Sequence, residues 1–329
     1  MIICQTPLRI SFVGGGSDMS SYYEYKPGMV ISSSIDKYLF VIIKERFDDM
    51  IYINYMKKEI VDCVNDIEHD LVREAMKMTG VLQGVEITML ADIPSTGSGL
   101  GSSSTLTVGL LNALYNFLGK QVTAEQLASE ACEIEIEILK KPIGKQDQYI
   151  AAYGGLNKFI FNKDGSVQIK SLNFSRENRI KLGSNLLLHF TNKTRKADSI
   201  LSDQKKKVQT NLKFLNTLVD MVPKLENEFK RENWDELGKL LKENWNVKKK
   251  LAEGITNPEI DLMVETAMSN GAIGVKIAGA GGGGFLLSYV PRNNQEKFRS
   301  AMENYIELPF MLDSFGSRII FNMRGYNAR

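Results

Sequence analysis

Three glycines and five serines fall within twelve residues in the stretch PSTGSGLGSSST, at positions 94–105. Glycine lets backbone N–H groups approach an anion closely, and serine hydroxyls can bind phosphate oxygens or a hard cation. The same composition is also typical of a flexible linker. Two carboxylates further along the chain, Glu135 and Asp147, could supply a metal ligand and a proton acceptor.

The neighbours of this stretch favour a phosphate cradle over a linker. VEITML directly before it alternates like a strand, and Leu106, Leu110 and Leu114 after it have helical spacing. A helix over 102–118 would end at Gly119. The first turn of a helix has unpaired N–H groups and a partial positive charge, so it can bind an anion.

Glu135 occupies an unexpected place in the next predicted helix, which opens on a capping-box pattern at Thr123 and Gln126 and runs to the break at 140–142. On a wheel of 100° per residue, Glu135 shares its face with apolar side chains and other glutamates point away. The apolar neighbours are Ala128, Ala131, Cys132 and Leu139, and the outward glutamates are Glu130, Glu133 and Glu137. A buried carboxylate needs a cation or a proton. A metal ligand, a core ion pair and a strand over EIEIEI all remain open.

Asp147 lies in GKQDQY, which reads as a polar turn beside Lys145. A neighbouring ammonium would keep this carboxylate ionised, so that it could orient a hydroxyl and accept its proton. An ordinary surface turn fits the same residues.

Two further glycine-rich segments are FVGGGSD (12–18) and IAGAGGGGF (277–285). The second satisfies GxGxxG, but the strand-like FLLSYV follows it, whereas a dinucleotide site needs a helix there. The Walker A pattern is absent, since the Gly-Lys pairs at 119–120 and 144–145 are followed by Gln and the pair at 238–239 is followed by Leu. Neither common nucleotide motif is therefore predicted.

Composition restricts the class of protein. The 329 residues are 43% hydrophobic and 24% charged, with 41 basic against 39 acidic side chains, so nucleic acid and membrane partners are not expected. The lysine runs at 205–207 and 248–250 read as solvated helix faces. The start reads as a strand rather than a secretion signal, and no stretch is apolar for the roughly 18 residues that span a bilayer. Three separated cysteines indicate reduced thiols and a cytoplasmic location, and a His/Cys metal site is not expected.

Strand and helix signals alternate irregularly, which predicts an α+β fold rather than regular βαβ units. A boundary near 180 would give domains 1–180 and 181–329, with the helical, lysine- and leucine-rich segment 196–252 in the second. Strands are predicted over PLRISFVG, GMVISSSI, YLFVIIKERF, MIYINYM, VEITMLADIP, GGLNKFIF, SVQIKSL, SNLLLHFT and SRIIFNM, and on both sides of the glycines in 271–290.

In this order, PLRISFVGGGSD, PSTGSGLGSSST and KIAGAGGGGF resemble the three motifs of the GHMP small-molecule kinases. The resemblance covers nearly the whole chain. It implies an N-terminal ribosomal-protein-S5-like α/β domain that binds ATP, and a C-terminal ferredoxin-like α+β domain. The third motif would buttress the phosphate loop.

The family's roles then fall on particular positions. The resemblance implies that Arg9 lies near the transferred phosphate, that Asp147 is the catalytic base, and that Ser103 and Glu135 hold Mg²⁺. The ATP loop would comprise Pro94, Gly97, Ser98, Gly99, Leu100, Gly101, Ser102, Ser103 and Ser104. The sugar would contact Gly16, Ser17, Asp18, Arg195 and Gly281.

Within the family, the chain is most similar to the anomeric sugar kinases. Where galactokinases read G-E-H-T-D, this chain has GGGSD at 14–18, which argues against galactose. GGGSD, GKQDQY and HFTNKTRKAD resemble instead the kinases of D-glycero-D-manno-heptose 7-phosphate, with fucose-type kinases as relatives. Lys193, Arg195 and Lys196 could bind an acceptor's phosphate, or be ordinary surface charges.

We therefore expect a cytoplasmic, ATP- and Mg²⁺-dependent sugar 1-kinase that acts on a small-molecule sugar or sugar phosphate, assembles as a homodimer, and serves lipopolysaccharide or capsule synthesis. Two other functions remain open: a decarboxylase of the mevalonate type, and a non-catalytic regulator that binds ATP and sugar.

Overall fold

The computed structural model describes residues 1–93, 97–193 and 197–323, without the side chains of 197 and 198. Its strands are β1 (Ile2–Val13), β2 (Gly28–Glu45), β3 (Ile51–Asn54), β4 (Lys58–Val61), β5 (Val85–Ala91), β6 (Leu156–Phe161), β7 (Val167–Ser171), β8 (Leu186–Phe190), β9 (Gly274–Ile277), β10 (Phe285–Tyr289), β11 (Glu307–Leu308) and β12 (Arg318–Asn322).

The helices complete an α+β fold. They are α1 (Ser20–Tyr23), α2 (Asp70–Thr79), α3 (Ser102–Phe117), α4 (Ala124–Cys132), α5 (Gln146–Tyr153), α6 (Arg176–Gly183), α7 (Ala197–Lys206), α8 (Val208–Lys230), α9 (Asp235–Lys248), α10 (Pro258–Ser269) and α11 (Gln295–Ala301). A π-helical turn, Glu133–Ile138, continues α4.

The larger sheet runs in the order β12-β1-β2-β5-β3-β4, and β6 joins it through β2 and carries β7 at its outer side. β2 is long enough to pair with two strands in succession: residues 28–33 pair with β6, and residues 39–45 pair with β5. The sequence suggested two strands here, GMVISSSI with Ser32–Ser34 inside it and YLFVIIKERF, separated at Asp36 and Lys37. The structure shows one continuous strand in which these serines are fully buried.

The smaller sheet is antiparallel in the order β11-β8-β10-β9, and the predicted strand–glycine–strand unit over 271–290 forms its β9–β10 pair. Helix α9 packs on β9 and also reaches β1 of the larger sheet. This contact brings the second half of the chain against the first, beside the cavity described below.

Buried apolar side chains cover both faces of the larger sheet. One cluster joins Leu8, Ile10 and Phe12 of β1 to α8, α9 and the smaller sheet, and another lies between the sheet and α2–α5. Because side chains alternate along a strand, Arg9 and Ser11 of β1 are free to face the cavity instead.

The predicted domain boundary near 180 stays a prediction. Two observations bear on it: β12, from the end of the chain, pairs with β1, and one core cluster contains residues from both halves.

Thr123 caps α4 as expected, since its side chain accepts a hydrogen bond from Gln126 N. The capping box is incomplete, because the Gln126 amide binds Glu130 instead of reaching back. Although 133–138 is a π-helical turn rather than an α-helix, Glu135 is fully buried and Glu133 and Glu137 are exposed, as the wheel indicated. The strand alternative for EIEIEI is wrong.

Candidate active site

A cavity of about 440 Å³ lies between the first two glycine motifs, the start of α5 and the elements α7, α9 and β9. Its wall carries the cations Arg9, Lys141, Lys248 and Lys276, and the carboxylates Asp18 and Asp147. Residues far apart in sequence therefore meet in one charged cleft.

The phosphate-loop prediction is consistent with the local backbone. Gly97, Gly99 and Gly101 all have positive φ, with values of 73°, 74° and 84°, and α3 begins at Ser102 as expected. No side chain caps this helix start. Its first N–H groups therefore remain available beside the hydroxyls of Ser102–Ser104, which line the cavity.

The third glycine segment packs directly against this loop. A Cβ on Gly99 would stand 2.5 Å from Ala278 O, and a Cβ on Gly284 would stand 2.5 Å from Ser98 O. Any side chain there would push the two backbones apart. This packing agrees with the buttressing that the family resemblance implies.

Arg9 and Asp147 form a two-pronged ion pair at the centre of the wall. Arg9 Nε donates to Asp147 Oδ1 at 2.7 Å, and Nη2 donates to Oδ2 at 2.5 Å. Nη1 donates to Gly99 O at 2.6 Å, which connects the pair to the phosphate loop. Asp147 lies in the first turn of α5 rather than in a free turn. The cation that pairs with it is Arg9 and not Lys145, because the Lys145 ammonium donates to Gly165 O.

Asp18 holds the first glycine motif against the start of α5. Its carboxylate accepts from Gly16 N at 3.0 Å and from Gln146 N at 3.3 Å, and it is 3% exposed. Burial raises the pKa of Asp18, and the nearby charge of Asp147 raises it further. Asp18 and Gly16 both line the cavity, so a ligand hydroxyl can reach this carboxylate.

Glu135 lies behind Ser103, whose hydroxyl donates to Oε1 at 2.6 Å. Gln148 Nε2 donates to Oε2 at 2.7 Å, and Lys141 Nζ stands 3.7 Å from Oε1. Burial raises the pKa of Glu135, and the charge of Lys141 opposes this rise. The sequence left a core ion pair and a metal ligand open for Glu135, and both roles are compatible with this arrangement. In it, Ser103 lies between Glu135 and the cavity.

Sequence reasoning missed two lysines on the wall. Lys248 was assigned to a solvated run, but it is 7% exposed and its ammonium donates to Gly279 O. Lys276 is 2% exposed and donates to Ser11 O and Phe12 O at 2.9 and 3.0 Å. Burial lowers the pKa of both. One sequence feature could have indicated a buried lysine, namely the position of Lys276 inside an otherwise apolar strand, GVKI.

Four of the predicted site residues that the structure describes do not reach the cavity wall, and Glu135, behind Ser103, is one of them. Leu100 is fully buried; its carbonyl accepts from Arg9 N, and its own N–H donates to Ser98 Oγ at 3.3 Å. Ser17 is fully buried, and its hydroxyl bridges the carbonyls of Gly14 and Met29. Gly281 packs against Ile255. Pro94 and Arg195 lie outside the described residues, as does Lys196.

Two features are absent from the described residues. They contain no cluster of three or more His, Cys, Asp and Glu side chains that could hold a metal ion. In that same part of the chain, no helix is long and apolar enough to cross a membrane.

A glycine loop at an uncapped helix start, with an Arg–Asp pair beside it, is an arrangement suited to binding phosphates and to accepting a proton from a hydroxyl. The model of the GHMP kinases N-terminal domain matches residues 56–155, and the model of the GHMP kinases C-terminal domain matches residues 225–307. The chain belongs to the GHMP kinases. The predicted fold and enzyme class, an ATP-dependent phosphotransferase with a hydroxyl acceptor, are thereby confirmed.

Several relatives can be named. A D-glycero-alpha-D-manno-heptose 7-phosphate kinase of Campylobacter jejuni is 31% identical over 303 residues, which cover 87% of this chain and 88% of the relative. A crystal structure described as a D-glycero-D-manno-heptose 1-phosphate kinase of Bacteroides thetaiotaomicron matches with a TM-score of 0.83 and 26% identity, over 99% of this chain and 100% of that one. An L-fucokinase/L-fucose-1-P guanylyltransferase of Bacteroides fragilis is 25% identical over 86% of this chain and 34% of its own length.

Proposed function

We propose that the protein transfers the γ-phosphoryl group of ATP to the anomeric C1 hydroxyl of D-glycero-D-manno-heptose 7-phosphate. The product would be the 1,7-bisphosphate. This compound could be converted to a nucleotide-activated heptose for the synthesis of lipopolysaccharide or capsule. The observation that carries the proposal is the Arg9–Asp147 pair, linked through Gly99 O to the phosphate loop in one cavity. The similarity to the Campylobacter enzyme supports the choice of acceptor.

The phosphate loop would hold the ATP phosphates. The start of α3, with Ser102 and Ser104, lines the cavity, and Lys141 adds a positive charge beside it. Backbone donors fixed by the fold need little reorganisation when charge develops on the moving phosphoryl group. Phosphoryl transfer depends mainly on such positioning and electrostatics.

Asp147 is the proposed base. It would accept the C1 hydroxyl proton as the new bond from that oxygen to the γ-phosphorus forms and the bond to the β–γ bridging oxygen breaks, which releases ADP. The two hydrogen bonds from Arg9 fix the carboxylate in place. Arg9 would also lie close to the charge on the transferred group. Asp18 is proposed to accept a hydrogen bond from another sugar hydroxyl.

The oxygen ligands present fit Mg²⁺. Ser103 Oγ and Glu135 Oε1 are already 2.6 Å apart, and magnesium is commonly held by one or two carboxylates together with substrate phosphates. Glu135 and Ser103 would hold the ion, which would supply positive charge against the phosphates. Lys141, 3.7 Å from Glu135, balances the buried carboxylate in the structure described here.

An ADP-release screen over free and phosphorylated sugars tests the proposal, with phosphorus NMR of the product to locate the new phosphate. Heptose 7-phosphate is expected to be the preferred acceptor, and the product is expected to carry a C1 phosphate. Preference for fucose would support the fucose-type alternative. Carbon dioxide release from diphosphorylated mevalonate would indicate a decarboxylase, and ATP binding without turnover on any sugar would indicate a regulator.

A further inference from the structure

The cavity wall formed by α7 and α9 carries polar groups that no atom of the described residues satisfies. Asn244 is 1% exposed and Gln204 is 7% exposed, and both line the cavity. Within the described residues, Asn244 Nδ2 and Gln204 Nε2 have no hydrogen-bond partner. An unmet buried amide costs free energy comparable to a lost hydrogen bond. Two such amides at one cavity indicate that a bound ligand supplies the hydrogen-bond acceptors that they lack.

Lys248 stands one helical turn beyond Asn244 on α9, so both side chains emerge on the same helix face. Its ammonium donates to Gly279 O. Among the described residues it has no carboxylate within 4.0 Å. A buried ammonium without an ion-pair partner favours an anionic ligand, because the ligand would supply the missing counter-charge.

We propose that Lys248, Asn244 and Gln204 form a phosphate-binding subsite for the acceptor, which recognises the phosphate that the sugar already carries. The inference rests on the proposed function and extends it, because it assigns the preference for a phosphorylated acceptor to particular side chains. The ammonium supplies charge and the two amides supply N–H donors.

The nucleotide's phosphates have a separate set of donors. The uncapped start of α3, the Ser102–Ser104 hydroxyls and Lys141 come from the first half of the chain. The subsite comes from α7 and α9, and the charges of Asp18 and Asp147, which belong to the acceptor side, act on Lys248. A sugar with its reacting hydroxyl at Asp147 could thus present its phosphate to α9.

Of the basic residues that the sequence suggested for this role, Lys193, Arg195 and Lys196, the structure describes only Lys193. Lys193 is half-exposed, forms an ion pair with Glu259, and does not line the cavity. Lys248 is buried and lines it. The proposed subsite thus takes its charge from a lysine of α9, within a run that looks like ordinary surface charge.

The test compares the kinetics of heptose 7-phosphate with those of the same heptose lacking the phosphate. Both acceptors are measured with the unaltered protein and with the variants Lys248→Met, Asn244→Leu and Gln204→Leu. For Lys248→Met, KM for the phosphorylated acceptor should rise about tenfold to a hundredfold, the size expected for a charge-assisted hydrogen bond. KM for ATP and kcat/KM for the unphosphorylated heptose should stay within about twofold. Each amide variant should show a smaller rise, of about threefold to tenfold.

Matched controls are Lys242→Met and Asn246→Leu, which change exposed residues on the same helix. Lys248→Arg keeps the charge and should retain most of the preference. Thermal unfolding of each variant separates binding from folding. If Lys248→Met does not fold, Asn244→Asp replaces it, because a carboxylate there should repel a phosphate selectively.

Two outcomes would overturn the subsite. A rise in KM for ATP alone would assign Lys248 to the nucleotide, and an equal loss for both acceptors would assign it to sugar hydroxyls. Failure of the proposed function would look different, since the unaltered protein would then release no ADP with either heptose. Calorimetric titration with sugar phosphates and free sugars, without nucleotide, would still test the subsite in that case. Equal affinity for both kinds of sugar would contradict it.

Discussion

Arg9 and Asp147, which are 138 residues apart in sequence, form two parallel hydrogen bonds of 2.7 and 2.5 Å between β1 and the first turn of α5. The pair ties the first motif to the proposed base and, through Gly99 O, to the phosphate loop. A carboxylate held by a planar guanidinium has little rotational freedom, so the fold fixes the direction in which Asp147 would receive a proton.

Asp147→Asn should reduce kcat by about 10² to 10⁴, the usual contribution of a general base, because an amide cannot accept the proton. ATP affinity should change little, since the amide oxygen introduced by this substitution could still accept one hydrogen bond from Arg9. Steady-state kinetics and nucleotide titration measure the two effects. Asp203→Asn, at a partly exposed i,i+4 ion pair on α7, is the control. An unchanged kcat would rule out the base assignment.

Glu135→Gln should weaken the dependence on Mg²⁺. The neutral amide removes the charge that would bind the ion, and its NH₂ group would face either Ser103 or Gln148, which now donate to the two carboxylate oxygens. We expect the magnesium concentration for half-maximal rate to rise about tenfold or more. Glu133→Gln, on the exposed side of the same turn, should leave the metal titration unchanged. Identical titrations for Glu135→Gln and the parent protein would remove Glu135 from the metal site.

Gly99→Ala should disrupt the packing of the phosphate loop. The new Cβ would stand 2.5 Å from Ala278 O, whereas at Gly80, which has a similar positive φ, it would meet nothing within 4 Å. Gly80→Ala should lower the free energy of unfolding by about 1–2 kcal/mol through the backbone alone. Gly99→Ala should lower it further and also weaken ATP binding. Urea unfolding and nucleotide titration of both variants isolate the clash, and equal effects would argue against tight loop packing.

Binding of the phosphorylated acceptor should weaken as the pH rises above about 8. Burial lowers the pKa of Lys248 to about 8, and the charge of Arg9 acts in the same direction. The charged groups around the ammonium are Arg9, Asp18, Asp147 and Lys276. Below this pKa the ammonium keeps the proton that attracts phosphate, and above it the attraction is lost. KM for the phosphorylated acceptor should rise by up to tenfold per pH unit, while KM for the unphosphorylated heptose stays flat.

The Lys248→Arg variant provides the control for this pH effect, because a guanidinium keeps its charge throughout this range. Its KM for the phosphorylated acceptor should not rise above pH 8. The same rise in Lys248→Arg as in the parent protein would assign the titration to another group.

Glu226 of α8 should stabilise the protein in a pH-dependent way. Burial raises the pKa of Glu226, but hydrogen bonds from Lys158 on β6 and Lys170 on β7 outweigh this and lower it to about 2. Its stabilisation is therefore complete above the unfolded pKa of 4.5 and is lost as the pH falls towards 2. Glu226→Gln should lower the free energy of unfolding by about 3 kcal/mol at pH 7, and by less in acid. Glu228→Gln is the control, because the partners of Glu228, Arg231 and Asn233, lie close to it in sequence. Urea titrations should show a much smaller loss in the free energy of unfolding for this variant.

Much of the local structure could be predicted from the sequence, because local periodicity reflects burial. The alternation in VEITML, the spacing of leucines after Ser102 and the outlying position of Glu135 predicted β5, the extent of α3 and a buried carboxylate. The order of three glycine motifs was enough to identify the kinase family. These features are set by neighbours within about two helical turns.

Only the tertiary structure determined which distant side chains meet. Asp147 seemed to be next to its cation in the sequence, yet the fold gives it Arg9 in place of Lys145. Lys248 belongs to a run of three lysines that would be solvated on an isolated helix. The packing of α9 between β9 and β1 buries Lys248 beside the cavity and leaves Lys250 exposed. A sequence pattern indicates which face of a helix is polar, but the neighbouring elements decide whether that face meets water or a ligand.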